Sequence, residues 1–581
     1  MIRVISLLWG VVLPVLFVVA APAEERFELF ADGTTEYEIV IPENPSETLR
    51  WAARELRHWL KEVSGADFPI VEDCVNRKEK EIVLGLNRHA KEGLPEKSLQ
   101  NQPEEQGFVI QSQGATVYIY GGDDLGTQYG VFDFLETYLG CRWYTPTVSV
   151  IPEKQQFSFT SLNRQDYPRL RVRNDFYYEA FEPIWAARNR INGVMSYREQ
   201  PGGVEGYWGV HTFYYFLPPD EFFAEHPEYF SEIDGQRKYD HAQLCLTNPE
   251  VLQIMIERVK KFMREHPEYL IYDVSQNDWY GACQCDKCQA ITEAEGSEAG
   301  PVLSFVNKVA EAVEEEFPDK YIGTLAYQYT RKPPKTLRPR DNVVVRLCSI
   351  ECCFSHSFYE CPQNEAFLDD LQRWAKIAPQ LYIWDYVVNF RHYVLPHPNF
   401  RALQPNLQAF AQNKAIGVME QACYNTRGGE FSELRAYLLA KLLWNPFRTD
   451  TEQWIDDFMY GYYGRSGQYV RAYFDRLHDY ITPDTHMGCF ASTERPYFTD
   501  EFIQKSESLF DQAEAVADNI DILHRVEMAR LPVMYLKLII RRDQAKQDGT
   551  YARFKAICER EGIERLIENR HISEFWKEMD K

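Results

Sequence analysis

Apolar positions along this chain fall into three successive textures. In the first, residues 37–41 (YEIVI) alternate like a strand, and Ser46 stands where a cap would precede a helix with Leu49, Ala52, Ala53, Leu56, Leu60 and Val63 on one face. Gly65 ends that helix. Residues 81–85 form a second strand, 108–110 and 117–120 a hairpin-like pair, and about 126–139 a helix. The intervening GGDDLG run is read as a tight turn, because Asp123 and Asp124 repel phosphate and no lysine follows.

After Pro152 short apolar strands alternate with longer helical stretches, and each strand ends in polar or aromatic residues. Eight candidate strands occupy 170–177, 193–196, 209–216, 269–278, 321–329, 343–351, 381–388 and 416–424, with the last five the clearest. The helix predicted at 304–317 puts Phe305, Val309, Val313 and Phe317 on one face. Eight such repeats predict a (β/α)8 barrel, whose functional face lies at the carboxyl ends of its strands. From about Gly429 the pattern is helical: Leu434, Leu438 and Leu442 share a face before Trp444, Asn445 and Pro446 stop the helix, and 457–464 reads as an aromatic connection. The expected organisation is an α/β chain with a leader at 1–23, a small α/β domain at 24–160, the barrel at 161–430 and an α-helical region at 431–581.

Candidate chemistry follows from the strand ends. They supply Asn277, Asp278 and Trp279, then Tyr327 and Tyr329, Glu351, Trp384 and Asp385, and Glu420 with Gln421, while His211 stands within reach. Carboxylates among aromatic rings are the equipment of glycoside hydrolysis, in which one acid protonates the leaving oxygen and a second carboxylate attacks or activates water. Asp278 and Glu420 are taken as the working pair, with Glu351 and Asp385 in reserve. Asn277, His211, Trp279, Tyr327, Tyr329, Trp384 and Gln421 are candidate substrate-binding residues. Bland alternatives stay open: Asp385 as a structural acceptor, Glu351 as the partner of an arginine such as Arg346, and His211 as a loop brace. No Gly-x-Ser-x-Gly elbow supports serine chemistry.

Composition narrows the partners. A net charge of -24 argues against nucleic acid or an anionic membrane, while 36 Tyr, 35 Phe and 12 Trp suit the faces of sugar rings. Arg3, an apolar run from Ile5 to Val19 and Ala21-Pro22-Ala23 read as a cleaved secretory signal, which places the mature protein in the periplasm or outside the cell. Thirteen cysteines cannot all pair within one chain. Cys283, Cys285 and Cys288, and a second group of Cys348, Cys352, Cys353 and Cys361, admit disulfides or a thiolate zinc site. The C-x-C-x-x-C run lacks a fourth ligand, so disulfides or free thiols are expected and neither metal nor cofactor is assigned.

The runs SQNDWYGACQCDKC, GTLAYQYTRKPPK, DNVVVRLCSIECC, LYIWDYVVNF, GVMEQ and LRAYLLAKLLWNP resemble the large secreted family that carries the domain of unknown function numbered 4838, part of which is glycoside hydrolase family 163. GGDDLGTQYGVFDFLETYLGCRWYTP is similar to the non-catalytic domain that precedes the barrel in family 20 hexosaminidases and family 67 α-glucuronidases. The resemblance implies an α/β domain, a barrel and a helical tail. Family 163 implies a retaining endo-β-N-acetylglucosaminidase that cuts the N-glycan core, and Asn277-Asp278 at the fourth strand resembles the Asn-acid pair of many barrel glycosidases, with Asp278 standing where Glu is commoner. Two other readings remain: an exo-glycosidase that releases uronic acids, which predicts Arg331 or Arg391 in the pocket, and a carbohydrate-binding protein on a degenerate barrel.

Overall fold

A computed structural model describes residues 25–193 and 206–581. In the amino-terminal region six strands line up in the order Asn163–Asp166, Phe108–Gln113, Thr116–Gly121, Glu81–Leu84, Glu38–Ile41 and Ile70–Glu72. The last four run parallel and the first two add an antiparallel edge. The predicted stripe is buried along helix Glu47–Ser64, the Ser46 hydroxyl accepts from the Leu49 amide at 3.2 Å, and Gly65 closes the helix at φ 75°. In the GGDDLG turn the Asp123 carboxylate accepts from the Gly126 amide at 2.6 Å and caps helix Asp124–Phe134. A Cβ on Gly122 would meet the Glu104 carbonyl at 2.3 Å, so the backbone packs too closely there for any other residue.

The second region is a curled, fully parallel sheet. Its strands are β1 (Val172–Phe176), β2 (Tyr207–Trp208), β3 (Ile271–Asp273), β4 (Tyr321–Ala326), β5 (Val343–Cys348), β6 (Gln380–Tyr386) and β7 (Ala415–Gln421). They pair in the order β1-β7-β6-β5-β4-β3-β2, so among the described residues the wall is seven strands, open between β1 and β2. Of the strand expected at 193–196, positions 194–196 lie outside the described residues. Gly193 donates to the Arg173 carbonyl at 3.0 Å and therefore lies along the free edge of β1. The expectation for 209–216 is corrected: the strand is Tyr207–Trp208, and Phe213–Phe216 is a helical turn. Gly209 at φ 81° and His211 at φ 56° break the extended backbone between them.

Inside the curl the Arg346 guanidinium lies over three rings, 3.5 Å from Tyr207, 4.7 Å from Tyr382 and 5.3 Å from Trp384. This plug gives the space above it a floor.

Beyond β7 the chain is mostly helical, and helix Ser432–Trp444 stops where Pro446 predicts. All of its residues are buried, because it is wedged between barrel and first domain: Lys441 pairs with Glu136, and Trp444 packs against Tyr129 with ring centres 5.3 Å apart. The aromatic stretch expected as a connection is instead the end of helix Thr451–Tyr463, with the Phe458 and Tyr462 rings stacked 4.6 Å apart. No helix among the described residues is long and apolar enough to cross a membrane.

Candidate functional site

The carboxyl ends of β4 to β7 open onto a cavity of about 220 Å³ lined by His211, Asp278, Leu325, Tyr327, Cys348, Ile350, Trp384, Tyr386, Phe390, Gln421, Phe490 and Glu568. Strand alternation explains the membership. Trp384 and Tyr386 on β6 and Gln421 on β7 share the inward phase, and the Trp384 indole donates to the Gln421 side-chain oxygen at 2.8 Å. The Trp384 and Tyr386 rings stack at 6.2 Å to form one wall.

Asp278 sits in the loop after β3. Its side chain is 62% exposed, so it faces the opening rather than the core. The Tyr327 hydroxyl donates to its Oδ1 at 3.0 Å, and burial, then the charge of Asp278, keeps that phenol protonated. His211 approaches the same oxygen through Nε2 at 3.6 Å. The Nδ1 of His211 donates to the Gln276 carbonyl at 2.7 Å, which fixes the ring orientation. The left-handed backbone of His211 is a strained conformation held where it serves this contact.

Glu568 is the residue that sequence reasoning missed. It occupies the turn between two short strands, Arg565–Ile567 and Arg570–His571, of a carboxyl-terminal hairpin that folds back over the barrel mouth. Its amide donates to the Phe390 carbonyl at 3.0 Å, its own carbonyl accepts from Asn425 at 2.9 Å, and Gln421 Nε2 donates to its Oε1 at 3.4 Å. Burial raises its pKa, a hydrogen bond from Tyr424 opposes the rise, and the charge of Asp278 adds to it. The net shift is toward the protonated form. Nothing in the local pattern of the hairpin separates Glu568 from an ordinary surface glutamate.

Several expected residues stand elsewhere. Glu420 and Asp385 are enclosed, at 1% and 3% exposure, and do not line the cavity; their sequence neighbours Gln421 and Trp384 do. The physical reason is a phase of one residue, since adjacent strand positions face opposite sides of the sheet. Both join Asp175 in a row: Glu420 is in register with Asp175 on β1 and with Asp385 on β6. Burial, then Asp385 and Asp175, pushes the Glu420 pKa far up, and burial pushes Asp385 up to about 6 despite a hydrogen bond from Ser349.

Glu351 pairs with Arg331 at 2.6 Å, not with Arg346, and stays outside the cavity. Asn277 is buried and braces loops, donating to the Ala242 carbonyl at 3.1 Å and accepting from the Tyr214 amide at 3.2 Å. Trp279 donates to the same Ala242 carbonyl at 2.7 Å, and Tyr329 lines a separate small cavity with Cys283 and Cys288. A larger cleft of about 460 Å³ lies to the flank, lined by Tyr178, Glu179, Arg427 and Glu433 among others, and holds none of the expected residues.

None of the thirteen cysteines forms a disulfide. Two groups of four thiols and imidazoles instead converge, Cys245 with Cys283, Cys285 and Cys288, and Cys353 with His356, Cys361 and His486. The disulfide half of the expectation is thereby corrected, and Cys245 stands as a fourth thiol beside the three of the C-x-C-x-x-C run.

Comparison with known proteins adds the following. The family described as "Domain of unknown function (DUF4838)" matches residues 143–475, and "Glycosyl hydrolase family 67 N-terminus" matches residues 32–134. No curated protein matches the chain. Among solved structures, "A novel family GH115 4-O-Methyl-alpha-glucuronidase, BtGH115A, with specificity for decorated arabinogalactans" is similar at TM-score 0.57 and 12% identity, covering 92% of this chain and 77% of that one. That likeness is one of fold. A "GH138 enzyme targeting pectin rhamnogalacturonan II" gives TM-score 0.46 at 11% identity, covering 94% and 98% of the two chains. "Structure of CpGH84D" gives TM-score 0.48 at 10% identity, covering 96% of each.

Proposed function

The chain belongs to the family described as Domain of unknown function (DUF4838), and from that premise and the chemistry of its cavity we propose that it is a glycoside hydrolase. Its substrate on this reading is a β-linked N-acetylhexosamine-containing glycan of the N-glycan core type, cleaved in the manner of an endo-β-N-acetylglucosaminidase with retention. The observation that carries the reading is that two carboxyl groups, Asp278 and Glu568, reach one aromatic-walled cavity from distant parts of the chain.

Glu568, with its raised pKa, donates a proton to the glycosidic oxygen. Asp278, oriented by Tyr327 and His211, attacks the anomeric carbon as the protonated leaving sugar departs and forms a glycosyl ester. Water that gives its proton back to Glu568 then hydrolyses the ester, so configuration is retained and both carboxyl groups are regenerated. Trp384 and Tyr386 offer faces to the sugar ring, and Gln421, tied to both Trp384 and Glu568, couples binding to proton delivery.

The cavity also speaks to the charge of the substrate. His211 is the only basic side chain among the described residues that line it. Arg331, a candidate partner for a uronic acid, is held by Glu351 at 2.6 Å and Asp370 at 2.9 Å, and Arg391 does not line the space. A neutral sugar therefore fits better than a glucuronide. The substrate class itself rests on the sequence resemblance to family 163.

The test is purified protein assayed on N-glycoproteins, aryl β-N-acetylhexosaminides and aryl glucuronides, with Asp278→Asn and Glu568→Gln alongside. Hexosaminide turnover lost in both variants is expected. Glucuronide turnover, or sugar binding without turnover, would overturn the assignment. Export, proposed from the apolar amino terminus, is tested by sequencing the amino terminus of the protein recovered outside the cytoplasm.

A further inference from the structure

The two cysteine-rich groups take no part in the proposed chemistry, yet their geometry is specific. In the first, Cys245 comes from the segment before helix Pro249–Glu265, while Cys283, Cys285 and Cys288 come from the end of the Asp278 loop and the start of helix Asp286–Glu295. In the second, Cys353, His356 and Cys361 come from the loop after β5, and His486 comes from the carboxyl-terminal region. Within each group one donor atom from every residue lies within 4.8 Å of all the others.

The separations discriminate between covalent pairing and coordination. A disulfide needs sulfurs about 2.05 Å apart. A tetrahedral zinc ion, with Zn–S near 2.3 Å and Zn–N near 2.0 Å, sets sulfurs about 3.8 Å apart and sulfur about 3.5 Å from nitrogen. Cys245 and Cys285 are 3.7 Å apart. His356 Nδ1 is 3.6 Å from the Cys353 sulfur, and His486 Nδ1 is 3.4 Å from Cys353 and 3.6 Å from Cys361. These are the edges of coordination tetrahedra.

The surroundings supply what metal ligands need. His356 Nε2 donates to the Thr482 carbonyl at 2.9 Å, which leaves Nδ1 free of its proton and facing the two thiols. The Glu232 amide points at the Cys283 sulfur at 3.4 Å, and Arg237 lies 3.7 Å from the same atom, both suited to a thiolate. Four-sulfur and two-sulfur two-nitrogen sets are tetrahedral soft-metal sites and match the donor sets of closed structural zinc, with iron the alternative that metal analysis separates.

We propose that this chain binds two zinc ions, one on Cys245, Cys283, Cys285 and Cys288 and one on Cys353, His356, Cys361 and His486, as closed structural sites that fasten the walls of the cavity. The first site ties the loop that carries Asp278 to the segment whose Ala242 and Gln243 hold Asn277 and Trp279. The second ties the β5 loop to the stretch of the carboxyl-terminal region that delivers Phe490 to the cavity, next to the Phe354 amide bond to the Met487 carbonyl at 2.7 Å. With four protein ligands each, neither ion has an open position for substrate.

The full chain, free of any histidine tag and dialysed against trace zinc and then metal-free buffer, is analysed by plasma mass spectrometry and native electrospray. About two zinc ions per chain are expected, falling to about one in Cys285→Ser and about one in Cys353→Ser. Cadmium exchange gives a second readout on the unmutated protein, a thiolate-to-metal charge-transfer band in the ultraviolet. Folded protein that carries iron or less than one zinc ion overturns the proposal. So does a denatured, unreduced sample with fewer than the thirteen thiols of the sequence.

Discussion

Glu420 and Gln421 are adjacent on β7 and lead opposite lives. Gln421 faces the cavity, bonded to Trp384 and Glu568, whereas Glu420 faces the packed side of the sheet, in register with Asp175 and Asp385 and with one oxygen lacking any hydrogen-bond partner. The same contrast separates two sets of carboxyl groups. Asp278 and Glu568 stand on loops that meet at the mouth of the barrel, partly solvated and within reach of a ligand. Asp175, Asp385 and Glu420 stand in a row behind the wall, where burial favours their protonated forms. A perturbed carboxyl is thus no proof of a catalytic one; access decides.

The largest effect that sharpens this contrast is expected for Asp278→Asn, which should lower kcat/KM by about 10⁴-fold while the far-ultraviolet circular dichroism stays unchanged. A variant with near-normal turnover would place the chemistry elsewhere. Glu568→Gln should lose about 10³-fold on glycans, whose leaving group needs a proton, and much less on dinitrophenyl glycosides, whose leaving group does not. Equal losses on both substrates would remove Glu568 as the acid.

The buried row makes its own prediction through pH. Asp385 has its pKa raised from 3.8 to about 6, so the folded state holds that proton more tightly than the unfolded chain. Its contribution is fully present below 3.8 and is lost as pH rises through about 6. In urea unfolding from pH 4 to 7 the stability of the protein relative to Asp385→Asn should decline by an amount on the order of 3 kcal/mol. A stability difference that rises across this window would refute the protonated row.

Smaller effects test the walls. Trp384→Ala should cost about tenfold in kcat/KM, carried mainly by KM, as a stacking surface would. Glu420→Gln replaces a protonated acid by a neutral isostere and should leave kcat/KM within about twofold. A large loss there would return Glu420 to the site.

Much of the fold was legible in periodicity. The helix capped by Ser46, the turn capped by Asp123, strands β3 to β7 and the stop after Trp444 all follow from local pattern, because each element satisfies its own backbone and shows its own apolar face. Asp278, Tyr327, Trp384, Gln421 and His211 were legible too, as polar or aromatic residues at the ends of apolar runs. The weak third strand misled, since Gly209 and His211 enter the left-handed region to bring an imidazole to Asp278.

What the sequence determined by itself, then, was the kind of architecture and the edge of the sheet where chemistry belongs, because hydrophobic period and turn chemistry act over a few residues. Only the tertiary structure decided which member of each adjacent pair looks into the cavity, since a register of one residue is set by packing against distant helices. The same holds for Glu568, for Cys245 and for His486. Each joins its group only when the chain has folded, and no short-range rule carries a side chain across the dozens to hundreds of residues that separate it from its partners.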